Sequence, residues 1–515
     1  MKLREYQQKG FEDIIGIWNK ETSPIMFVLA TGGGKTVTFV HVIKHYLTQN
    51  ANVMLIAHRE ELITQSHKTL AKNGIQAGII KADFPQRFEF NTQVCSIQTL
   101  SRRTGYPDPD VIIIDEGHHV TLENEYGKLL NKFPNAKILV VTATPYRMDG
   151  KGFLEIVKNK ETKLIINRTA KQLIDDGWLV PFRYFIASLP NLDNVRIVRG
   201  DYADDDAYEA MKLVPVVQSY LKHAKGLRGI CYAVNVKHSK EICVDYKRAG
   251  VRAEHLDAQT PKEERERILQ SFRDGELDVV VNVGILTEGT DFPDCQFVQL
   301  ARPTKSLSMC RQMVGRATRP CINTNVLPDS ESRRTAIATS EKPYGLILDN
   351  AKCWEEHGFP DEEIDWMPYF IGKKQKKVKD LGFIDIYVIE DPETGVIKKT
   401  ANIKETEGSI LIEVTKEIRE RVSQKNYITE FNQLYYLSKR LRHVQKKGFF
   451  IYYGFKKFFD DGTIVPSVEI FDYIQKRLID EPKAKAEAED KKASEDPLKL
   501  PSYFLHKERQ TYLGV

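Results

Sequence analysis

Short apolar runs recur at the spacing of a parallel sheet, and they constrain the fold more than any other feature of this chain. They are "IMFVLA" (25–30), "NVMLIAH" (52–58), "QVCSIQ" (93–98), "DVIIIDE" (110–116) and "AKILVVTAT" (136–144). Polar or glycine residues bound each run, and amphipathic stretches separate them. Strands buried on both faces read this way, because crossover helices cover both sides of the sheet. The pattern pauses over 150–210, where "DDGWLVP" and the acidic "DYADDDAYE" fall. It then restarts with "RGICYAV" (228–234), "RAEHLDA" (252–258), "LDVVVNVG" (277–284), "QFVQLAR" (296–302) and "YGLILDN" (344–350). Two α/β halves of similar size are the simplest arrangement, and 515 residues are too many for one ordinary core.

The first run leads into a specific signal. In "IMFVLATGGGKTVTF" a buried strand passes into Gly32, Gly33 and Gly34, then Lys35 and Thr36, then an apolar helical pattern. Glycines let backbone N–H groups approach anionic oxygens, and a helix N-terminus favours negative charge. Lys35 would reach terminal phosphates and the Thr36 hydroxyl would coordinate Mg2+. The leading glycine of the general phosphate-loop pattern is replaced by Leu29. A Gly-Lys-Thr triplet alone arises by chance in long chains. A second site strengthens it: "VIIIDEGHH" (111–119) ends a β-branched run in paired carboxylates. Asp115 would hold Mg2+ and Glu116 would polarise an attacking water. In the second half, "QMVGRATRP" sets Arg316 and Arg319 three apart, on one side of a helical turn. An isolated pair of this kind is often a surface salt-bridge pair. Here the two would act as arginine fingers, reaching a γ-phosphate held by the first half.

These motifs resemble a superfamily 2 (DEAD/DEAH-like) helicase, in the family's order, over about residues 1 to 350. "LREYQQ" (3–8) resembles the adenine-sensing Q motif, "LATGGGKT" motif I, and "AHREELITQ" (57–65) motif Ia. "CSIQTL" (95–100) resembles a strand-binding motif, "DEGH" (115–118) motif II and "TATP" (142–145) motif III. "GILTEGTDFP" (284–293) resembles motif V and "QMVGRATR" (312–319) motif VI. The resemblance implies two tandem RecA-like parallel-sheet lobes with a smaller mixed α/β C-terminal region. It implies a first lobe over 1–165, an interlobe segment over 166–210, a second lobe over 211–355 and an accessory region over 356–515.

By the same resemblance the nucleotide is ATP, with Mg2+. Arg4 and Gln7 would contact adenine, and Thr31 joins the phosphate loop. Thr142 and Thr144 would link the nucleotide site to the strand-binding face. Gly289 and Thr290 would touch nucleic-acid phosphate, Asp291 the ribose or the arginine network, and Gln312 would lie near the γ-phosphate. Arg59, Gln98 and Thr99 would meet the strand; His58 lies near the same path, although a lone histidine is more often structural. Within the superfamily the chain looks most like RadD-like and XPB-branch DNA helicases, through "LIAHREELITQ", "TATPYRMDGKGF" and "KKGFFIYYGFKKFFDDGTIVP". That group often carries a cysteine-rich zinc element after motif VI. Here Cys321 and Cys353 fall in that region without a C-x-x-C pair, which leaves a zinc site unsupported.

The implied activity is ATP-dependent movement along DNA, in repair, recombination or replication. The alternatives are an RNA helicase, or the motor of a restriction, defence or repair complex. A net charge of +5 does not by itself demand a nucleic-acid partner. The seven scattered cysteines fit a reducing cytoplasm rather than a disulfide scaffold. No apolar run reaches about 18 residues, and no signal-peptide pattern opens the chain, so no membrane partner is expected. In the C-terminal region "GKKQKKVK" (372–379) carries five lysines, and "KAKAEAEDKKASED" (483–496), within a charged low-complexity stretch near 481–498, fits a frayed helix or disorder. "HVQKKGFFIYYGFKKFF" (443–459) interleaves aromatics with lysines, as a base-stacking surface or as a core element would. A protein partner docked through this region is a further expectation.

Overall fold

The computed structural model describes residues 2–82, 84–85, 87–186, 190–287 and 292–372, together with strands at 388–390, 397–399 and 412–413. The lysine run 373–379 and the stretches 443–459 and 483–496 lie outside the described residues.

The first sheet holds β1 (Ile25–Val28), β2 (Val53–Ala57), β3 (Gly78–Ile80), β4 (Thr92–Ser96), β5 (Val111–Asp115), β6 (Lys137–Thr142) and β7 (Lys163–Ile166). Their order is β3-β4-β2-β5-β6-β1-β7, and every pair is parallel. Residues along each strand alternate between two cores. Ile25, Phe27, Val111 and Ile113 face one cluster; Met26, Val28, Ile112 and Ile114 face the other. Burial on both faces explains why the runs are continuously apolar.

The second sheet begins earlier than the sequence pattern suggests. β8 (Phe182–Ile186) lies within the stretch read as interlobe, yet it pairs in parallel with β15 (Gly345–Asp349). Between them run a small hairpin, β9 (Ile197–Val198) and β10 (Asp201–Tyr202), and the strands β11 (Gly229–Ala233), β12 (Ala253–Leu256), β13 (Val279–Asn282) and β14 (Phe297–Ala301). The antiparallel pair β16 (Val388–Glu390) and β17 (Ile397–Lys399) and the strand β18 (Ile412–Glu413) follow. The second sheet is ordered β12-β13-β11-β14-β15-β8-β18, parallel except for β18 at its edge.

Both sheets belong to one compact unit, residues 1–375 with 406–413. The remainder forms a second unit, to which β16 and β17 belong. After β15 the chain returns to the first lobe. Trp366 and Phe370 join the cluster that holds Met26 and Val28, and the Phe370 carbonyl accepts from Phe153 N–H at 2.7 Å. Among the described residues no helix is long and apolar enough to cross a membrane.

Candidate active site

The glycine loop follows β1 and opens the helix Lys35–Leu47. Gly32 and Gly34 hold φ of +85° and +83°, which L side chains rarely adopt. A Cβ at Gly34 would lie 2.5 Å from Gln7 Nε2. Gln7 Nε2 and the Tyr6 hydroxyl both donate to the Gly33 carbonyl, at 3.0 and 2.8 Å. Gln7 Oε1 in turn accepts from Arg4 N–H at 3.0 Å. The N-terminal helix Glu5–Trp18 therefore fixes the loop from behind. The Arg4 guanidinium lies 4.2 Å over Trp178, with the Arg333 guanidinium over the same ring at 3.9 Å. Arg4 Nε also donates to Asn325 Oδ1 at 2.9 Å, joining the loop's support to the second lobe.

β5 delivers the carboxylates two strands away. Asp115 is 9% exposed, and its Oδ1 accepts from Glu116 N–H at 2.9 Å. Glu116 has φ +54°, a left-handed conformation that costs a non-glycine residue about 1 kcal/mol. Its Oε2 lies 3.4 Å from His118 Nδ1. From the second lobe, Gln312 Nε2 donates to the same oxygen at 3.2 Å. Thr142 Oγ1, at the end of β6, lies 3.5 Å from His118 Nδ1 and accepts from Thr144 N–H at 3.1 Å. Thr144 Oγ1 donates to Ser308 Oγ at 2.7 Å, a second bond between the lobes.

Gln312 lies on the helix Leu307–Val314. That helix stops short of the arginines, which differs from the single helical turn the spacing suggests. Gly315–Ala317 form a 3-10 turn that carries Arg316, and Arg319 lies beyond it, half-buried. The break falls where the second lobe meets the loop: a Cβ on Gly315 would lie 2.5 Å from Thr31 Cγ2. Arg316 donates to the Thr287 carbonyl of its own lobe. Gly289, Thr290 and Asp291 lie outside the described residues.

Three residues expected on the nucleic-acid path follow the carboxyl ends of the neighbouring interior strands β2 and β4. Arg59 Nη1 donates to the Gly284 carbonyl of the second lobe at 3.2 Å. Gln98, exposed, donates to the His58 carbonyl at 3.3 Å, and Thr99 sits beside it in the short helix Ile97–Leu100. His58 is not isolated. Its ring centroid lies 4.3 Å from that of His119, which lies 4.1 Å from that of His118. Sequence reasoning left out Tyr6, Trp178, Ser308 and His119. The doubled histidine of "DEGHH" was a visible signal; the other three carried none.

A carboxylate at the end of one parallel sheet, bonded by a glutamine of the second lobe, in the lobe that also carries the glycine loop, is the arrangement of a two-lobed nucleoside-triphosphate hydrolase. Residues 1–147 match the family described as type III restriction enzyme, res subunit. Residues 212–321 match the helicase conserved C-terminal domain. A 51.5 kDa protein of a Lactococcus phage (isolate 7-9) is 34% identical over 351 residues, 67% of this chain and 70% of that protein. The DNA 3'-5' translocase XPB2 of Sulfurisphaera tokodaii is 28% identical over 345 residues, 57% of this chain and 73% of that protein. Two fungal relatives are matched over 49% and 55% of their own length, so the chain spans about half of each. The fold is shared with an HsdR-subunit fragment of a type I restriction enzyme from Vibrio vulnificus YJ016. It superposes with a TM-score of 0.51 at 20% identity, covering 70% of this chain and 66% of that one. The chain belongs to the superfamily 2 helicases, which are ATP-hydrolysing enzymes, and the XPB branch is among its matched relatives.

Proposed function

We propose that the chain is a motor that hydrolyses ATP in the cleft between its lobes and moves along a DNA strand. One observation carries this reading: Gln312 of the second lobe donates to Glu116 of the first at 3.2 Å. The carboxylate that would polarise the attacking water then takes its orientation from the position of the other lobe. Hydrolysis and lobe movement become one event.

The other roles follow from chemistry. Lys35 and the first-turn amides of its helix would hold the terminal phosphates. Arg319 would meet the charge that develops on the transferred phosphoryl group, and Arg316 would do so on exchanging its Thr287 carbonyl for phosphate. Arg4 and Gln7 would read adenine from the back of the loop. Thr36 and Asp115 offer a hydroxyl and a carboxylate, the hard oxygen donors that Mg2+ takes. When bound, the ion would neutralise phosphate charge. Gly289 and Asp291 would complete the site.

Arg59, Gln98 and Thr99, with Thr290, would line the strand path. The XPB2 relative is a DNA 3'-5' translocase, which supports DNA over RNA as the polymer. The lobes would span 1–165 and 211–355, the second also drawing β8 from the segment 166–210, and 356–515 would supply an accessory region for a protein partner beyond the residues that pack on the first lobe. Repair, recombination or replication is the proposed setting. The match of 1–147 to a restriction-enzyme family favours a second setting, the motor of a restriction or defence complex. Steady-state ATPase, compared with no polymer, single-stranded DNA, duplex DNA and RNA at fixed low salt, tests the reading. Stimulation by DNA supports it; stimulation by RNA alone replaces it with an RNA helicase.

A further inference from the structure

We propose that the ring stack His58–His119–His118 is the positioning element that ties the strand-binding face to Glu116, an inference that rests on the motor reading above. The chain of contacts is continuous. In the second lobe the Gly284 carbonyl accepts from Arg59 Nη1 at 3.2 Å. Arg59 Nε donates to His58 Nε2 at 3.3 Å. The His58 ring meets the His119 ring at 4.3 Å and 60°, and the His119 ring meets the His118 ring at 4.1 Å and 42°. His118 Nδ1 then lies 3.4 Å from Glu116 Oε2, where Gln312 of the second lobe also bonds. The path leaves the second lobe at Gly284, crosses the first lobe and returns to the second at Gln312.

Its parts are stiff enough to pass on a displacement. Gly117 is pressed against β6, where a Cβ would lie 2.0 Å from Val140 Cγ1. The His119 carbonyl accepts from Asn124 Nδ2 at 2.8 Å. The backbone of the 3-10 turn Gly117–His119 is thus pinned from both sides. Glu116 stands at the end in a left-handed conformation, a geometry held by its surroundings. At the other end Gln98, expected to meet the strand, donates to the His58 carbonyl. A strand that shifts Arg59 or Gln98 moves His58, and through two ring contacts re-aims the Glu116 carboxylate. The His119 ring is the link between the rings of His58 and His118, while its backbone N–H donates to the Glu116 carbonyl at 3.2 Å.

The test uses the full chain with His119→Ala and His119→Phe. ATPase is measured with and without oligo-dT, along with oligo-dT affinity by anisotropy and thermal melting. Unstimulated ATPase and strand affinity of His119→Ala should stay within about twofold of the parent. The strand-stimulated kcat should fall on the order of tenfold with KM for ATP unchanged. His119→Phe, which keeps a ring in the stack, should recover most of it. Should His119→Ala melt early, His119→Gln removes the ring and is read the same way. Retained stimulation, or an equal loss of unstimulated and stimulated turnover, overturns the inference while leaving the motor reading intact. If no polymer stimulates the parent chain, the motor reading falls and takes this one with it.

Discussion

Gln312 Nε2 and Glu116 Oε2 stand 3.2 Å apart across the two lobes, 196 residues apart in the chain. The same carboxylate faces His118, so it is held from both lobes at once. Replacing Gln312 with Ala removes the hold from the second lobe alone. The kcat for ATP should fall on the order of tenfold to a hundredfold, with KM within about threefold. A raised KM at unchanged kcat would show that Gln312 acts on bound substrate and not on the reacting geometry.

Lys35 begins the helix behind the glycine loop. Its ammonium would contribute charge at the phosphates and nothing to the strand path at Arg59 and Gln98. Lys35→Ala should bring ATP turnover to background and leave single-stranded DNA affinity within about threefold. Unchanged turnover would refute the phosphate-loop assignment.

Arg319 lies beyond the 3-10 turn, where no helical geometry fixes it to Arg316. A finger acts mainly in the transition state. Arg319→Ala should therefore lower kcat by about a thousandfold, with a modest change in ATP affinity. The reverse pattern, weak affinity with intact kcat, would remove the finger role.

The parallel sheets were legible because both faces of each central strand are buried, which forces unbroken apolar runs. β7 was hidden by its edge position: its pattern is half-exposed, with Ile166 at 45%. β8 was hidden by Arg183 at its second position, a charge tolerated because its guanidinium bonds the Tyr344 hydroxyl at 2.9 Å. Contiguous site motifs such as the glycine loop and "DEGH" announce themselves. The histidine stack does not. His58 and His119 meet because β2 and β5 are neighbours in the sheet, and strand order is absent from a linear pattern. The arginine pair looked helical because three-residue spacing carries no sign that Gly315 ends the helix.

Gly315 of the second lobe packs directly against the phosphate loop. A Cβ there would lie 2.5 Å from Thr31 Cγ2 and 2.8 Å from Thr31 Cβ. The strain falls between lobes, not within one, so Gly315→Ala should spread the cleft and spare each lobe's core. We expect kcat/KM for ATP to drop about tenfold, with Tm within a few degrees of the parent. Adding Thr31→Ser removes the nearer atom and keeps the hydroxyl. Partial recovery in the double variant, measured as a cycle, checks that the contact is the cause.

Acid should destabilise the chain through its buried histidines. Burial pushes His238 down to about 4, against the opposing pull of Glu241. It pushes His357 down to about 4 as well, against the opposing pull of the hydrogen bond to the Thr304 carbonyl. In the unfolded chain a histidine titrates near 6.5. Between about 4 and 6.5 the unfolded state therefore binds more protons, and stability falls as pH falls through that window. Asp349 works in the opposite sense. Burial raises its carboxyl to about 6, despite hydrogen bonds from the Trp354 and Cys353 N–H groups and the Tyr184 hydroxyl. Its contribution is present below its unfolded value near 3.8 and is lost as pH rises through 6. One histidine's effect is thus offset, and the other remains. Unfolding free energy should drop by about 1–2 kcal/mol between pH 7 and pH 5. His238→Gln should flatten that slope, because it removes one titrating group and leaves His357 balanced against Asp349. Urea midpoints at the two pH values measure it, and an unchanged slope in the variant would show that His238 is not the source.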